Sequence, residues 1–216
     1  DCSWFSAVPT LFAYLLNNPD DTGDLGRLRF SRSASSPLPP EIHRRFEERF
    51  GIPIIETMGL TETGAQILSN PMPPGERKIG SPGVAVGNEI IIGDDKQNAV
   101  PAGVTGEILV RGDNVMLGYL NQPDETARTI TVDGWLRTGD LGYMDEDGYA
   151  YIVDRKKDMI NVGGEKVFPA EVEDMMITHT KIKDLAIVGI PDELKGEVPK
   201  AFIVLNEGET TSLEEI

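Results

Sequence analysis

One cysteine, Cys2, stands among 216 residues, which excludes an internal disulfide framework and any cysteine-based zinc site. Histidine is almost as scarce. His43 and His179 lie far apart with no second ligand spaced near either, so both read as ordinary surface residues rather than metal ligands. Basic residues number 20 against 36 acidic ones, a formal net charge of −16. A nucleic-acid binder carries a basic face, so that class is disfavoured. The acidic excess serves solubility, and an anionic ligand would need a local basic site. No apolar run approaches the ~18 residues a membrane helix needs. The start, "DCSWFSAVPT", has neither the basic flank nor the cleavage site of a secretory signal. The expectation is a cytoplasmic protein without a transmembrane segment. A starting methionine is also missing, which reads as a fragment.

What is present is globular: 39% hydrophobic and 26% charged residues, enough for one large domain or two small ones. "VPTLFAYLLNN" predicts a helix begun near Pro9, with Leu11, Leu15 and Leu16 on its inner side. "LGRLRFSRSASSPLPP" predicts a short strand and a small-residue loop. "PPEIHRRFEERFG" predicts an amphipathic helix with Ile42, Phe46 and Phe50 at helical spacing and Gly51 as its stop. "IPIIE" reads as a buried strand and "TMGLTETG" as a polar loop at its carboxyl end. "NEIIIGDDKQ" and "GEILVRG" are strand material, and "QPDETARTI" is a short helix. "DGWLRTGDLG" reads as a loop, and "LGYMDEDGYAYIVD" as a hairpin turning at "DEDG". "MINVGGEKV" predicts a tighter hairpin at Gly163–Gly164. "FPAEVEDMMITH" predicts a helix from Pro169, with Met175 and Met176 in the core. "DLAIVGI" and "KAFIVL" are strands, and the end, "NEGETTSLEEI", stops at a helix start. The composition shifts near Asp154–Lys157, giving an expected boundary between residues 1–154 and 155–216.

Three motifs carry chemistry, each with a plainer alternative. A Thr- and Gly-rich loop after a buried strand, "ETMGLTETG", is where open α/β sheets bind phosphates, and Glu62 suits Mg²⁺; it also matches a polar turn without ligand. Asp140 in "TGDLG" can accept from the vicinal hydroxyls of a sugar, or can form an Asx-turn. Arg155, Lys156, Lys157 and Lys166 supply cations for phosphates, or a solvated turn.

Order decides between these. "SASSPLPPEI", "ETMGLTETG", "GEILVRGDNVMLGYLNQPDET" and "DGWLRTGDLGYMDEDGYAYIVDRKKDMINVGGEKVFPAEVE" follow one another in a way that resembles the adenylate-forming enzymes, the superfamily of acyl-CoA synthetases, luciferases and peptide-synthetase adenylation domains. The resemblance covers nearly the whole chain. It implies an α/β fold with mixed β: the C-terminal part of the large AMP-binding domain (a sheet plus a small distorted β-barrel), followed by the start of a small, mobile α+β domain.

The resemblance also implies a reaction. A carboxylic acid attacks the α-phosphate of Mg·ATP to give an acyl-adenylate and pyrophosphate, and the thiol of coenzyme A then takes the acyl group, leaving AMP. Position by position, Ser35, Ser36 and Pro37 flank the adenine and Glu56 meets its amino group. Met58 stands where the family has a stacked aromatic, a departure that a polarisable side chain can accommodate. Thr57, Gly59 and Ile152 are further nucleotide positions. Thr61 binds phosphate, Glu62 holds Mg²⁺, Asp140 binds the ribose and Arg155 reaches the nucleotide. Lys157 is the hinge about which the small domain turns. Gly163, Gly164 and Lys166 line the thiol channel, where Lys166 meets a CoA phosphate.

"MINVGGEKVFPAEVE" resembles acyl-CoA synthetases more than peptide-synthetase domains. The alternatives are an acyl-AMP ligase loading a carrier protein, and a truncated, non-catalytic nucleotide- or partner-binding protein. The family's "TSGTTGxPKG" loop belongs upstream of these residues and its Pro-x-x-x-x-Gly-Lys downstream. The chain therefore reads as an internal piece, inactive alone, whose open sheet edge favours a homo-oligomer.

Overall fold

The computed structural model describes residues 2–18, 25–212 and 215. Of the closing stretch 206–216, where a helix start is expected, residues 213, 214 and 216 lie outside the described residues. The chain divides into two compact units, one of residues 1–138 and 142–152, the other of residues 139–141 and 153–216. The mixed α/β character expected from the sequence is what the fold shows.

The first unit begins with three parallel strands, β1 (Trp4–Ala7), β2 (Phe30–Ser33) and β3 (Ile54–Gly59). Helices α1 (Pro9–Asn17) and α2 (Pro40–Phe50) make the crossovers between them. Each helix opens on proline, whose fixed φ suits the first helical position. Gly51 ends α2 at φ +65°, a left-handed cap. Phe12, Leu16, Leu38, Phe46, Ile52 and Ile54 form a buried cluster, in which the Phe12 and Phe46 rings meet edge-on at 5.0 Å.

Two expectations need correction here. Phe12, not Leu11, faces the core with Leu16, and Leu11 is 40% exposed, because the true inner stripe is the i, i+4 pair. His43 is not a surface residue but 1% exposed, one turn before Phe46, with a carboxylate at each ring nitrogen.

Beyond β3 the sheet continues antiparallel through β4 (Gln66–Ser69) and β5 (Val84–Ala85). The second sheet runs β6 (Glu89–Gly93), β7 (Gly106–Arg111), β8 (Leu136–Met144), β9 (Ala150–Arg155), with α3 (Pro123–Thr129) between β7 and β8. A bridge between Gly83 and Ala150 ties the two sheets, and Met58, Ile67, Leu68, Ile92, Ile108, Val110 and Ala150 fill the space between them.

Here too the sequence misled. "TMGLTETG" is not all loop: β3 persists to Gly59 because β4 pairs with it, and only Thr61–Thr63 turns as a 3-10 helix. "DGWLRTGDLG" is mostly strand. Its turn is confined to residues 131–135, closed by Thr131 N–H to Trp135 O at 2.8 Å, and β8 then lies between two partner strands. Pairing on both sides overrides the low strand propensity of glycine and aspartate.

The second unit holds the tight hairpin β10 (Ile160–Val162) and β11 (Glu165–Val167), helix α4 (Pro169–Met176), and the long antiparallel pair β12 (Ile182–Asp192) and β13 (Gly196–Leu205). Gly163 and Gly164 both take positive φ, as a two-residue hairpin turn requires. Met175 is 68% exposed rather than core, since α4 turns only one face to its neighbours; Met176 is half-buried. No helix among the described residues is long and apolar enough to cross a membrane.

Candidate functional site

Strands β2 and β3 run parallel with Ser33 opposite Glu56, so both end at the same edge of the sheet. Carboxyl ends of adjacent parallel strands are where open α/β sheets bind ligands. Both expected base- and phosphate-binding segments emerge there. The Thr57 hydroxyl donates to Ser33 O at 3.1 Å and ties the two strand ends together. After β2 the chain turns through Ser35 at φ +79°, leaving Ser35, Ser36 and Pro37 exposed. Ser33 Oγ is buried at this end without a partner among the described residues.

Beyond β3 the backbone folds back tightly. A Cβ on Gly59 would lie 2.5 Å from Ala65 O, so only glycine fits. Thr61 is exposed on the following turn and Glu62 is half-buried. Two bonds fix Glu62. Tyr119 donates its hydroxyl proton to Glu62 Oε1 at 2.8 Å, and Met116 N–H donates to the Glu62 carbonyl at 2.8 Å. The Glu62 carboxylate, helped by partial burial, pushes the Tyr119 phenol up, so Tyr119 remains a donor. Met58 is buried in the cluster between the sheets, and Ile152 packs against that same cluster.

Behind β3 lies a buried ionic network. His43 Nδ1 meets Glu56 Oε1 at 2.8 Å, and His43 Nε2 meets Glu47 Oε1 at 2.9 Å. Glu56 Oε1 also accepts the Gly80 N–H at 3.0 Å, and Glu47 Oε1 accepts the Ile54 N–H at 2.7 Å. Arg77 completes the set. It bonds both Glu47 oxygens and donates to Ile54 O at 3.1 Å. Burial alone would push His43 down, but the hydrogen bonds and charges of Glu47 and Glu56 outweigh it and raise its pKa. Burial alone would raise Glu47, but His43, Arg77 and the Ile54 N–H hold it down at about 2.

The second unit holds the remaining candidates. Asp140, 4% exposed, accepts from Arg155 Nε at 2.8 Å, so its buried charge is paired. Lys156 N–H donates to Gly139 O at 2.8 Å, beside that pair. Asp154 accepts both the Arg155 N–H at 2.7 Å and the Ala170 N–H at 3.1 Å. Lys157, Gly163, Gly164 and Lys166 are exposed, and a Cβ on either glycine would meet open space.

A sheet edge with two motif-bearing strand ends, and a buried carboxylate paired to arginine, can now be set beside known proteins. Residues 1–120 match the AMP-binding enzyme family, and residues 171–216 match the AMP-binding enzyme C-terminal domain. The chain belongs to the AMP-binding enzyme family. Among relatives, the sulfoacetate–CoA ligase of Cupriavidus necator is 49% identical over 95% of this chain. The oxalate–CoA ligase of Saccharomyces cerevisiae is 41% identical over 100% of it. This chain spans 40% of the length of each of those two relatives. Among solved structures, O-succinylbenzoate coenzyme A synthetase from Bacillus subtilis, in complex with ATP and magnesium ion, superposes with a TM-score of 0.84 at 33% identity. That match covers 98% of this chain and 43% of that one.

Sequence reasoning missed His43, Glu47, Arg77 and Tyr119. The i, i+4 spacing of His43 and Glu47 on a helix was a readable signal. Nothing local marks Arg77 or Tyr119, which reach their partners from 30 and 57 residues away.

Proposed function

We propose that these residues form part of an acyl-CoA synthetase, which joins a carboxylic acid to coenzyme A through an acyl-adenylate at the expense of ATP. The observation that supports this best is the shared edge of β2 and β3, where the segments from Ser35 to Pro37 and from Glu56 to Glu62 emerge together. In this reading the exposed Ser35–Pro37 turn lies against the adenine, and Thr57, Met58, Gly59 and Ile152 shape the pocket around it. The Thr61 hydroxyl takes a phosphate oxygen. Asp140 accepts from the ribose hydroxyls while its bond to Arg155 keeps it oriented. Lys157 lies at the hinge between residues 1–154 and 155–216. The open Gly163–Gly164 turn leaves room for a slender pantetheine arm, and Lys166 meets a CoA phosphate.

Mg²⁺ fits Glu62 in one specific sense. Among the described residues no cluster of three His, Cys, Asp or Glu side chains could cage a metal. Mg²⁺ needs none, because it is held by one or two carboxylates together with phosphates and water. Tyr119 keeps Glu62 oriented for that role. When bound, the ion neutralises charge on the transferring phosphates.

For the acid, we favour a short molecule with a second anionic group, since sulfoacetate and oxalate, named for two relatives, share that chemistry.

The test is calorimetric titration of the chain with AMP beside an Asp140→Ala variant. Saturable binding is expected, weakened at least tenfold by the substitution. The same preparation should show no ATP–pyrophosphate exchange, because these residues contain neither the "TSGTTGxPKG" loop nor the Pro-x-x-x-x-Gly-Lys lysine. Equal AMP affinity in both proteins would overturn the assignment of Asp140.

A further inference from the structure

The nucleotide reading leaves the buried imidazole of His43 without a task. His43 presents a ring nitrogen to each of two carboxylates, both within 3 Å. A neutral imidazole carries one N–H, so its other nitrogen would face a carboxylate oxygen with no proton between them. An imidazolium donates to both. The two oxygens concerned, Glu47 Oε1 and Glu56 Oε1, each already accept a backbone N–H, which places the proton on the ring.

Charge balance agrees. The titratable groups facing the ring are Glu47 from its own helix and Glu56 from β3, with Arg77 behind Glu47. Two cations then meet two anions, the condition under which buried charges are tolerated. A neutral histidine would leave a negative charge uncompensated beside Glu56, which is 6% exposed.

The location gives the network a purpose. Glu56 directly precedes Thr57, whose hydroxyl ties β3 to the end of β2. Among the described residues, both hydrogen bonds to the Glu56 side chain fall on Oε1. The carboxylate is therefore gripped by one oxygen from behind, and Oε2 is the atom left for an amino group.

We propose that His43 is a buried imidazolium acting as a positioning residue, which clamps Glu56 so that the end of β3 is set for the nucleotide base. This rests on the nucleotide reading given above. The clamp works through Glu56, and His43 itself touches no ligand.

The sequence offers a clean test, because His43 and His179 are its two histidines. A long-range ¹H–¹⁵N spectrum of the chain at pH 7.5 resolves each ring. Both His43 nitrogens are expected at protonated shifts. A neutral His43 ring overturns the proposal. The positioning role is read from His43→Gln by AMP titration and by the Glu56 carboxyl ¹³C resonance. At least a tenfold loss of affinity with a displaced Glu56 resonance is expected. A folded variant that binds AMP like the parent overturns the role.

Should that variant not fold, Glu56→Gln serves instead. It removes one anion from the ring and must shift His43 titration to lower pH; an unmoved titration overturns the proposal. A parent chain that binds no AMP yet shows the charged ring overturns the nucleotide reading, and base positioning with it, while the ionic network stands.

Discussion

Gly83 and Gly87 look alike in the sequence and differ in the fold. Both take positive φ, +96° and +71°. A Cβ on Gly83 would lie 1.9 Å from the Ser69 carbonyl carbon, whereas nothing stands within 4 Å of one on Gly87. Gly87→Ala therefore carries only the left-handed penalty, about 1–2 kcal/mol. Gly83→Ala adds a clash with backbone that cannot move aside, and should cost roughly 3 kcal/mol or more. Urea unfolding of the two variants measures the gap. Equal losses would mean that the Ser69–Asn70 backbone gives way to the added methyl. Other single residues were legible for local reasons: Gly51 as a helix stop, and the glycine pair 163–164 as a hairpin turn. His43 was not, because its burial depends on Glu56, which reaches it from a separate strand.

Elements were read more reliably than their faces. Among the described residues all four α-helices open on proline, and each was placed from that signal. Which side of α1 turns inward was misjudged, since leucine and phenylalanine compete for the stripe and only the position of α2 decides. Phe46 is 0% exposed and packs on Phe12 and Phe50, so Phe46→Ala should cost about 3–5 kcal/mol. Leu11→Ala, at an exposed site, should stay within about 0.5 kcal/mol. Thermal or chemical unfolding separates the two, and a large loss at Leu11 would restore the face first expected from the sequence. Strand β8 shows the opposite limit. Its glycines and aspartate argue for a loop, and two flanking strands make it a strand regardless.

At the scale of the whole molecule, the His43–Glu47 pair gives stability a pH window. His43 has a raised pKa in the folded state, so its contribution is complete below its ordinary value of 6.5 and fades as pH rises through the raised value. Glu47 is depressed from 4.5 to about 2, so its contribution is complete above 4.5 and fades as pH falls toward 2. Both are present between 4.5 and 6.5, where the melting temperature of the parent should exceed that of His43→Gln by most. A difference between the two proteins that stays flat from pH 5 to pH 9 would remove His43 from this account.

The sequence by itself determined the family, the order of the elements and the residues proposed to meet the nucleotide. Long motifs in one register carry that information locally, through turn chemistry, proline and glycine placement, and apolar spacing. The tertiary structure alone decided which side chains those residues lean on. Glu56 held by His43 and the Gly80 N–H, Glu62 by Tyr119, and Asp140 by Arg155 are pairings made across 13 to 57 residues of chain. No local pattern specifies them, because a buried charge is matched by whatever partner the packing brings within reach.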